Sequence, residues 1–155
     1  GKRVVIVSSD KDLMQLCDAG DPDAGRPPIY LYDTMKGKLI GPPEVEEKFG
    51  VGPALLGDLL ALTGDSSDNV PGVPGVGPKT AAELLHEHGS LEGVLAAAPA
   101  IPQKARREKL IAHADDARLS RRLVALHEDV LPLSNLAAHL PPFLLRPDHA
   151  LTLRS

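Results

Sequence analysis

The sequence predicts an α/β opening, the end of a parallel sheet, followed by an all-helical remainder, and three observations predict it. Residues 3–8 (RVVIVS) are a short continuous run rich in β-branched side chains, the pattern of a strand buried on both faces of a parallel sheet. From Pro43 onward the apolar residues recur at helical spacing. Between two of those helices lies the stretch 64–81, GDSSDNVPGVPGVGPKTA, which places two carboxylates three residues apart and then runs into a glycine-rich hairpin.

The elements follow in chain order. After the first strand, Ser8, Ser9 and Asp10 supply helix-capping chemistry, and Leu13, Leu16 and Cys17 recur with a helical period, so strand, tight turn and helix are expected. Asp10 and Asp12 then sit beyond the carboxyl end of a strand, where open α/β sheets place their ligands. Residues 18–28, rich in Asp, Gly and Pro, form a loop. Residues 29–32 and 38–40 flank a turn at 35–37 and predict a hairpin or two short edge strands.

Pro43 suits a helix first turn, with Glu44, Glu46 and Glu47 where the helix dipole favours negative charge. Helices are expected over 45–49 and 53–62, broken at 50–52, the second with a stripe of Leu55, Leu56, Leu59, Leu60 and Leu62. Residues 79–88 make a helix with Ala81, Ala82, Leu84 and Leu85 inward and Gly89 just past its end. Ser90 caps the next helix, over 91–98, which Pro99 and Pro102 stop. Helices over 103–114 and 115–126 carry a basic cluster, and 131–155 reads as a proline-rich tail.

Composition excludes several classes. The chain has 155 residues, enough for a real core, with 43% hydrophobic and 25% charged residues but only 3% aromatic, so the core is Leu, Val and Ala. One cysteine rules out a disulfide framework and a cysteine-based zinc cluster, and no apolar run is long enough to cross a bilayer. A cytoplasmic, nucleoid-associated location with no membrane partner is the expectation. The net charge of −4 conceals an asymmetry: residues 104–122 hold seven basic side chains (Lys104, Arg106, Arg107, Lys109, Arg118, Arg121, Arg122) against three acidic ones. There is no initiator Met and the first residues fall into a strand pattern, which predicts a chain beginning within a domain.

Each candidate constellation also has a plainer reading. Asp10 and Asp12 at a strand-to-helix turn can simply be cap residues, and Asp65 with Asp68, among Ser66, Ser67 and Asn69, can simply build a turn. Together they are more informative. Four converging carboxylates repel one another unless a cation holds them ionised, and oxygen-only ligands suit Mg²⁺ or Mn²⁺. Two such ions can activate water and stabilise a leaving oxygen in phosphodiester hydrolysis.

The hairpin 71–80 lets backbone approach a ligand closely, Pro78 suits the first turn of the next helix, and that helix turns free N–H groups outward. Phosphate would be held there without a base being read, with Lys79 nearby. A plain helix–helix turn is the alternative. The run 72–80 approaches the nucleotide-binding loop G-x-x-x-x-G-K-[ST], but Pro78 intrudes before Lys79 and no strand precedes it. His86 and His88, two apart on a helix, do not share a face and read as surface residues. The basic cluster is either a solvated face or an extension of a backbone-phosphate footprint.

With these residues in view, VVIVSSDKDLMQL followed by LTGDSSDNVPGVPGVGPKTAAELL resembles the 5′-nuclease family, the 5′→3′ exonuclease domain of bacterial DNA polymerase I and the flap endonucleases, in its C-terminal portion. The resemblance spans about 4–126 and implies the end of a PIN-like parallel sheet followed by an all-α helix-three-turn-helix element. It implies a division into 1–45, the last part of the catalytic α/β domain, 46–130, the DNA-binding helices, and the tail 131–155.

It also implies that Asp10, Asp12, Asp65 and Asp68 bind divalent metal and are the catalytic ligands. By the same resemblance the hairpin, Gly72, Gly75, Val76 and Gly77 with Lys79 and Thr80, grips duplex backbone, and carbonyls of Val70, Val73 and Val76 are placed to hold K⁺. The implied activity is two-metal 5′→3′ exonuclease or flap-endonuclease cleavage in replication and repair. Its substrate would be double-stranded DNA with a 5′ flap, nick or RNA primer, with a polymerase domain possible in the same parent chain. The family's upstream acidic cluster and helical arch have no counterpart in these 155 residues. The alternative expectation is therefore a non-catalytic module that binds DNA backbone.

Overall fold

The computed structural model describes residues 3–127. The expected tail 131–155 lies outside the described residues.

Three strands make the sheet: β1 (Val4–Val7), β2 (Ile29–Asp33) and β3 (Lys38–Ile40), in the order β1-β2-β3. β1 and β2 pair in parallel, with Val4 opposite Ile29 and Val7 opposite Tyr32. β2 and β3 form the antiparallel hairpin, its turn held by buried Asp33, whose Oδ1 accepts the N–H groups of Met35 (2.9 Å) and Lys36 (3.2 Å).

The β-branched run is a strand, but the expectation that it is buried on both faces is corrected. Val4, Val5 and Val7 are 44%, 39% and 67% exposed. Among the described residues β1 bonds to β2 alone, so composition identified the element and not what covers it.

The expected helix after β1 is a single 3₁₀ turn, Asp12–Leu16. It stops there because Cys17 is extended and Asp18 exchanges two backbone hydrogen bonds with Ile29 (3.0 and 2.8 Å), drawing the chain back to the sheet. Asp10 shapes the approach to it as an Asx turn, Oδ1 accepting the Asp12 N–H at 2.9 Å, while Ser8 Oγ accepts from the Asp10 N–H.

The remainder is helical: α1 (Pro42–Phe49), α2 (Pro53–Thr63), α3 (Pro78–His88), α4 (Leu91–Ala97), α5 (Lys104–Ala112) and α6 (Ala114–Leu123), with a short 3₁₀ turn at Ala98–Ala100. Prolines open α1, α2 and α3, and left-handed glycines, Gly50 (φ 75°) and Gly89 (φ 78°), end α1 and α3. The Glu44 carboxylate accepts the Gly41 N–H at 2.7 Å, and Ser90 Oγ accepts from Gly93 at 3.1 Å, as capping chemistry requires. The expected division at 45/46 falls inside α1.

α2 is the hub. Rather than one stripe, it buries Leu56, Gly57, Leu59, Leu60, Ala61 and Leu62, because the 3₁₀ turn, α1, α3, α4 and α6 surround it. Ala81, Ala82, Leu84 and Leu85 of α3 face this core as expected. α5 and α6 are shorter than the sequence suggests and meet at His113, whose φ of −111° breaks the helix.

Candidate functional site

The connection from α2 to α3 is built from backbone. The N–H of Asp65 donates to the carbonyl of Val70 (2.9 Å) and the N–H of Val70 returns the bond to Asp65 (2.8 Å), closing a small loop across which Asn69 takes a positive φ of 59°. Inside it Asp65 Oδ1 accepts both the N–H (3.0 Å) and the hydroxyl (2.6 Å) of Ser67. Gly64 (φ 72°) and Gly72 (φ 64°) then lie back to back: a Cβ on Gly64 would stand 2.7 Å from the Val70 carbonyl oxygen, and one on Gly72 would collide with the Gly64 backbone. Only glycine fits either position.

The acidic cluster of the two segments is brought together in part. Asp12 and Asp65 are turned inward, Asp65 with only 7% of its side chain exposed, whereas Asp10 and Asp68 are exposed. Burial raises the Asp12 carboxyl above the usual aspartate range, and repulsion from Asp10, Asp68 and Asp65 adds to it, so all four charges lie within electrostatic reach. Lys11, between Asp10 and Asp12 in sequence, forms an ion pair with Asp65 Oδ2. That contact, followed by the Ser67 hydroxyl, holds the Asp65 carboxyl down at about 2.

Asp12 Oδ1 and Asp65 Oδ2 are buried and neither accepts a well-directed hydrogen bond. Two inward carboxylate oxygens of this kind fit a hard divalent cation by donor chemistry. Among the described residues, no three His, Cys, Asp or Glu side chains stand close enough together to enclose one.

The glycine-rich half presents a different surface. Val70, Val73 and Val76 are 7%, 2% and 5% exposed and anchor the hairpin in the core. Of the three carbonyls expected to hold K⁺, Val70 accepts from Asp65 and Val73 accepts from Val76 at 3.0 Å, so two already serve the loop. Gly75, Gly77 and Lys79 are exposed and Thr80 is half-buried. Gly77 caps α3 through its carbonyl, which accepts from Ala81 at 2.9 Å, so the preceding N–H groups of Lys79 and Thr80 have no partner within the helix. An anion placed there meets backbone donors and the positive end of the α3 dipole.

Ser120, which sequence reasoning missed, and Lys109, one of the basic cluster, complete the hairpin. Ser120 on α6, fully buried, accepts the Gly72 N–H at 3.0 Å and donates to the Asp116 carbonyl at 2.7 Å. Lys109 on α5 reaches over the hairpin: a Cβ on Gly75 would lie 2.5 Å from its Nζ. Nothing local signals either, because the partners are 48 and 34 residues away in sequence.

The basic cluster is divided by the fold. Arg118 pairs with Glu92 (2.9 Å) and Asp115 (3.3 Å), Arg121 with Asp58 (2.6 Å) and Lys104 with Glu108 (3.8 Å), while Arg107 donates to the Ile101 carbonyl (2.8 Å). Among the described residues Arg106, Lys109 and Arg122 have no acidic partner. His86 is exposed, as expected, with Nε2 2.7 Å from the Gly50 carbonyl.

Comparison with known proteins gives a consistent picture. A family described as 5′-3′ exonuclease, C-terminal SAM fold, matches residues 51–142. The chain is 55% identical over 130 residues to a DNA polymerase I of Rhizobium leguminosarum, covering 84% of this chain and 12% of that protein. It is 39% identical over 130 residues to the flap endonuclease Xni of Vibrio campbellii, covering 84% of this chain and 46% of the relative. The chain thus spans less than half the length of these relatives. Among solved structures, a T5 5′-exonuclease with divalent zinc ions bound aligns with a TM-score of 0.69 at 22% identity, over 79% of this chain and 42% of that one, a likeness of fold.

Proposed function

The chain belongs to the 5′-3′ exonuclease family through its C-terminal SAM fold, and from that premise we propose that it is the DNA-gripping part of a metal-dependent 5′→3′ exonuclease or flap endonuclease. The observation that carries the reading is the joint at Gly64 and Gly72, which fixes the aspartate-bearing loop against the hairpin that opens α3. In this reading residues 46–130 hold duplex DNA and residues 1–45 contribute to the α/β part that cuts it.

The hairpin receives the phosphodiester backbone on Gly75, Gly77, the N–H groups of Lys79 and Thr80, and the ammonium groups of Lys79 and Lys109. Such contacts position a duplex without reading sequence. Asp65 and Asp12, with Asp10 and Asp68 around them, hold Mg²⁺ or Mn²⁺, which supply water activation and charge stabilisation at the scissile phosphate when bound. Ser67 keeps Asp65 Oδ1 occupied and so leaves Oδ2, the oxygen that pairs with Lys11, as the one open to a metal ion. The substrate class is double-stranded DNA bearing a 5′ flap, nick or RNA primer. A polymerase domain in the same parent chain is suggested by the polymerase I relatives.

A 5′-flap duplex incubated with Mn²⁺ and the full-length parent tests this. Cleavage is expected, with a large loss on Asp65→Asn and Asp68→Asn; cleavage indifferent to both substitutions refutes the ligand assignment. The second reading, a backbone-binding module that does not cut, is favoured by one observation: three ligating side chains are not assembled among the described residues. It predicts duplex binding by the chain without Mn²⁺-dependent cleavage by either protein.

A further inference from the structure

Among the described residues Lys11 is the cation that the fold brings into contact with the acidic cluster. Its backbone belongs to the turn that carries Asp10 and Asp12, and its ammonium pairs with Asp65 Oδ2 on the α2–α3 connection. Asp65 has no other oxygen to offer, because Oδ1 is taken by the Ser67 N–H and hydroxyl. Asp12 Oδ1, also buried, is left with no hydrogen-bond partner. Asp65 is the carboxylate that the ammonium touches, and the charges of Asp12 and Asp68 also favour its protonated form.

A monovalent ammonium is a poor match for that site. It brings one charge to four carboxylates and leaves an inward oxygen of Asp12 unused. It can also leave cheaply. The Lys11 side chain is 36% exposed, so it can swing into water by rotamer change alone, with no movement of the turn.

We propose that Lys11 is a built-in competitor for divalent metal: its ammonium holds Asp65 Oδ2 until a divalent cation displaces it, so that this lysine sets the threshold of metal binding. The inference rests on the reading of Asp12 and Asp65 as metal ligands. Its consequence is an exchange of cations. The lysine neutralises part of the cluster in the absence of metal, and metal binding has to overcome both the ion pair and the repulsion between like charges. That makes Lys11 a positioning residue whose removal lowers folding stability in metal-free buffer yet raises metal affinity, two effects of opposite sign.

The test is a titration of the chain with Mn²⁺ alone, following the EPR signal of free Mn²⁺, beside urea unfolding with and without saturating Mn²⁺. Lys11→Met is expected to bind Mn²⁺ roughly threefold or more tightly than wild type, the scale of a partly exposed ion pair. It should also be less stable in chelator and gain more stability from Mn²⁺. Lys11→Gln, uncharged but polar, should move in the same direction, and Lys11→Arg, which keeps the charge, should bind no more tightly than wild type. Equal or weaker Mn²⁺ binding by both uncharged variants overturns the proposal and makes Lys11 a strut that holds the ligands in place. If Asp65→Asn leaves Mn²⁺ binding unchanged, or no variant binds Mn²⁺, the ligand assignment itself fails and the competition falls with it.

Discussion

Replacing Ser120 by alanine removes a single oxygen from the centre of the helical part, and its effect can be worked out from two bonds. The Gly72 N–H loses its acceptor, 3.0 Å away, in a site where Ser120 is fully buried and water has no access. The bond that Ser120 donates to the Asp116 carbonyl is lost as well, but that carbonyl is at a helical position and keeps its own acceptor role. A buried donor left without a partner costs about 1–3 kcal/mol. In a compact unit of this size that lowers Tm by roughly 4–12 °C.

The second consequence is specific to the hairpin. Gly72 is held by Ser120 on one side and by Gly64 on the other, so losing one restraint loosens the phosphate-facing loop. Chemical denaturation and duplex-binding isotherms measure the two effects, with exposed Ser66→Ala as the control. If Ser120→Ala stays within about 0.5 kcal/mol of wild type and binds duplex DNA equally well, the reasoning is refuted, since surface changes alone fall in that range.

Three further outcomes follow from the same geometry. Gly72→Ala and Gly25→Ala both force alanine into left-handed backbone, at φ 64° and 68°, but only Gly72 has backbone against the new methyl. Gly25→Ala should therefore cost about 1–2 kcal/mol and Gly72→Ala measurably more by urea denaturation; equal costs would exclude the close contact with Gly64. Lys109→Ala should reduce the slope of log affinity against log salt for duplex DNA by about one, alike for every sequence, as measured by fluorescence anisotropy; an unchanged slope removes Lys109 from the phosphate footprint. Finally, Arg118 holds the Glu92 carboxyl below its usual 4.5, so the pair stabilises the fold above that pH and the contribution is lost as pH falls through the lowered value. Glu92→Gln should be slightly less stable than wild type at neutral pH, the gap closing in strong acid and in high salt, because the pair is exposed.

Much of the helical part is legible in the sequence because its signals are local. Pro78 at the start of α3, Gly89 at its end and Ser90 at the head of α4 each act on residues within a turn of themselves, and each does in the fold what its chemistry requires. The glycine hairpin and the paired aspartates are legible for the same reason. What escapes is set at long range. The helix expected after β1 shrinks to one 3₁₀ turn because Asp18 bonds to Ile29. The exposed valines of β1 depend on what covers the strand, which a run of β-branched residues does not encode. Pairing of Arg118 with Glu92, and of Arg121 with Asp58, turns two of the seven residues of a promising basic cluster into struts between helices, and these partners are 26 and 63 residues apart.

The back-to-back glycines make the α2–α3 connection a ruler cut from main chain. A side chain holding two sites apart can change rotamer, and a salt bridge can be screened, but Gly64 and Gly72 fix their spacing by covalent geometry and contact. Evolution can therefore retune either end, exchanging side chains at the acidic loop or at the helix entrance, without resetting the interval between them. The interval itself is set by the Gly64–Gly72 contact and by the two backbone hydrogen bonds that close the loop between Asp65 and Val70. Length polymorphism in that loop should accordingly be far rarer than substitution.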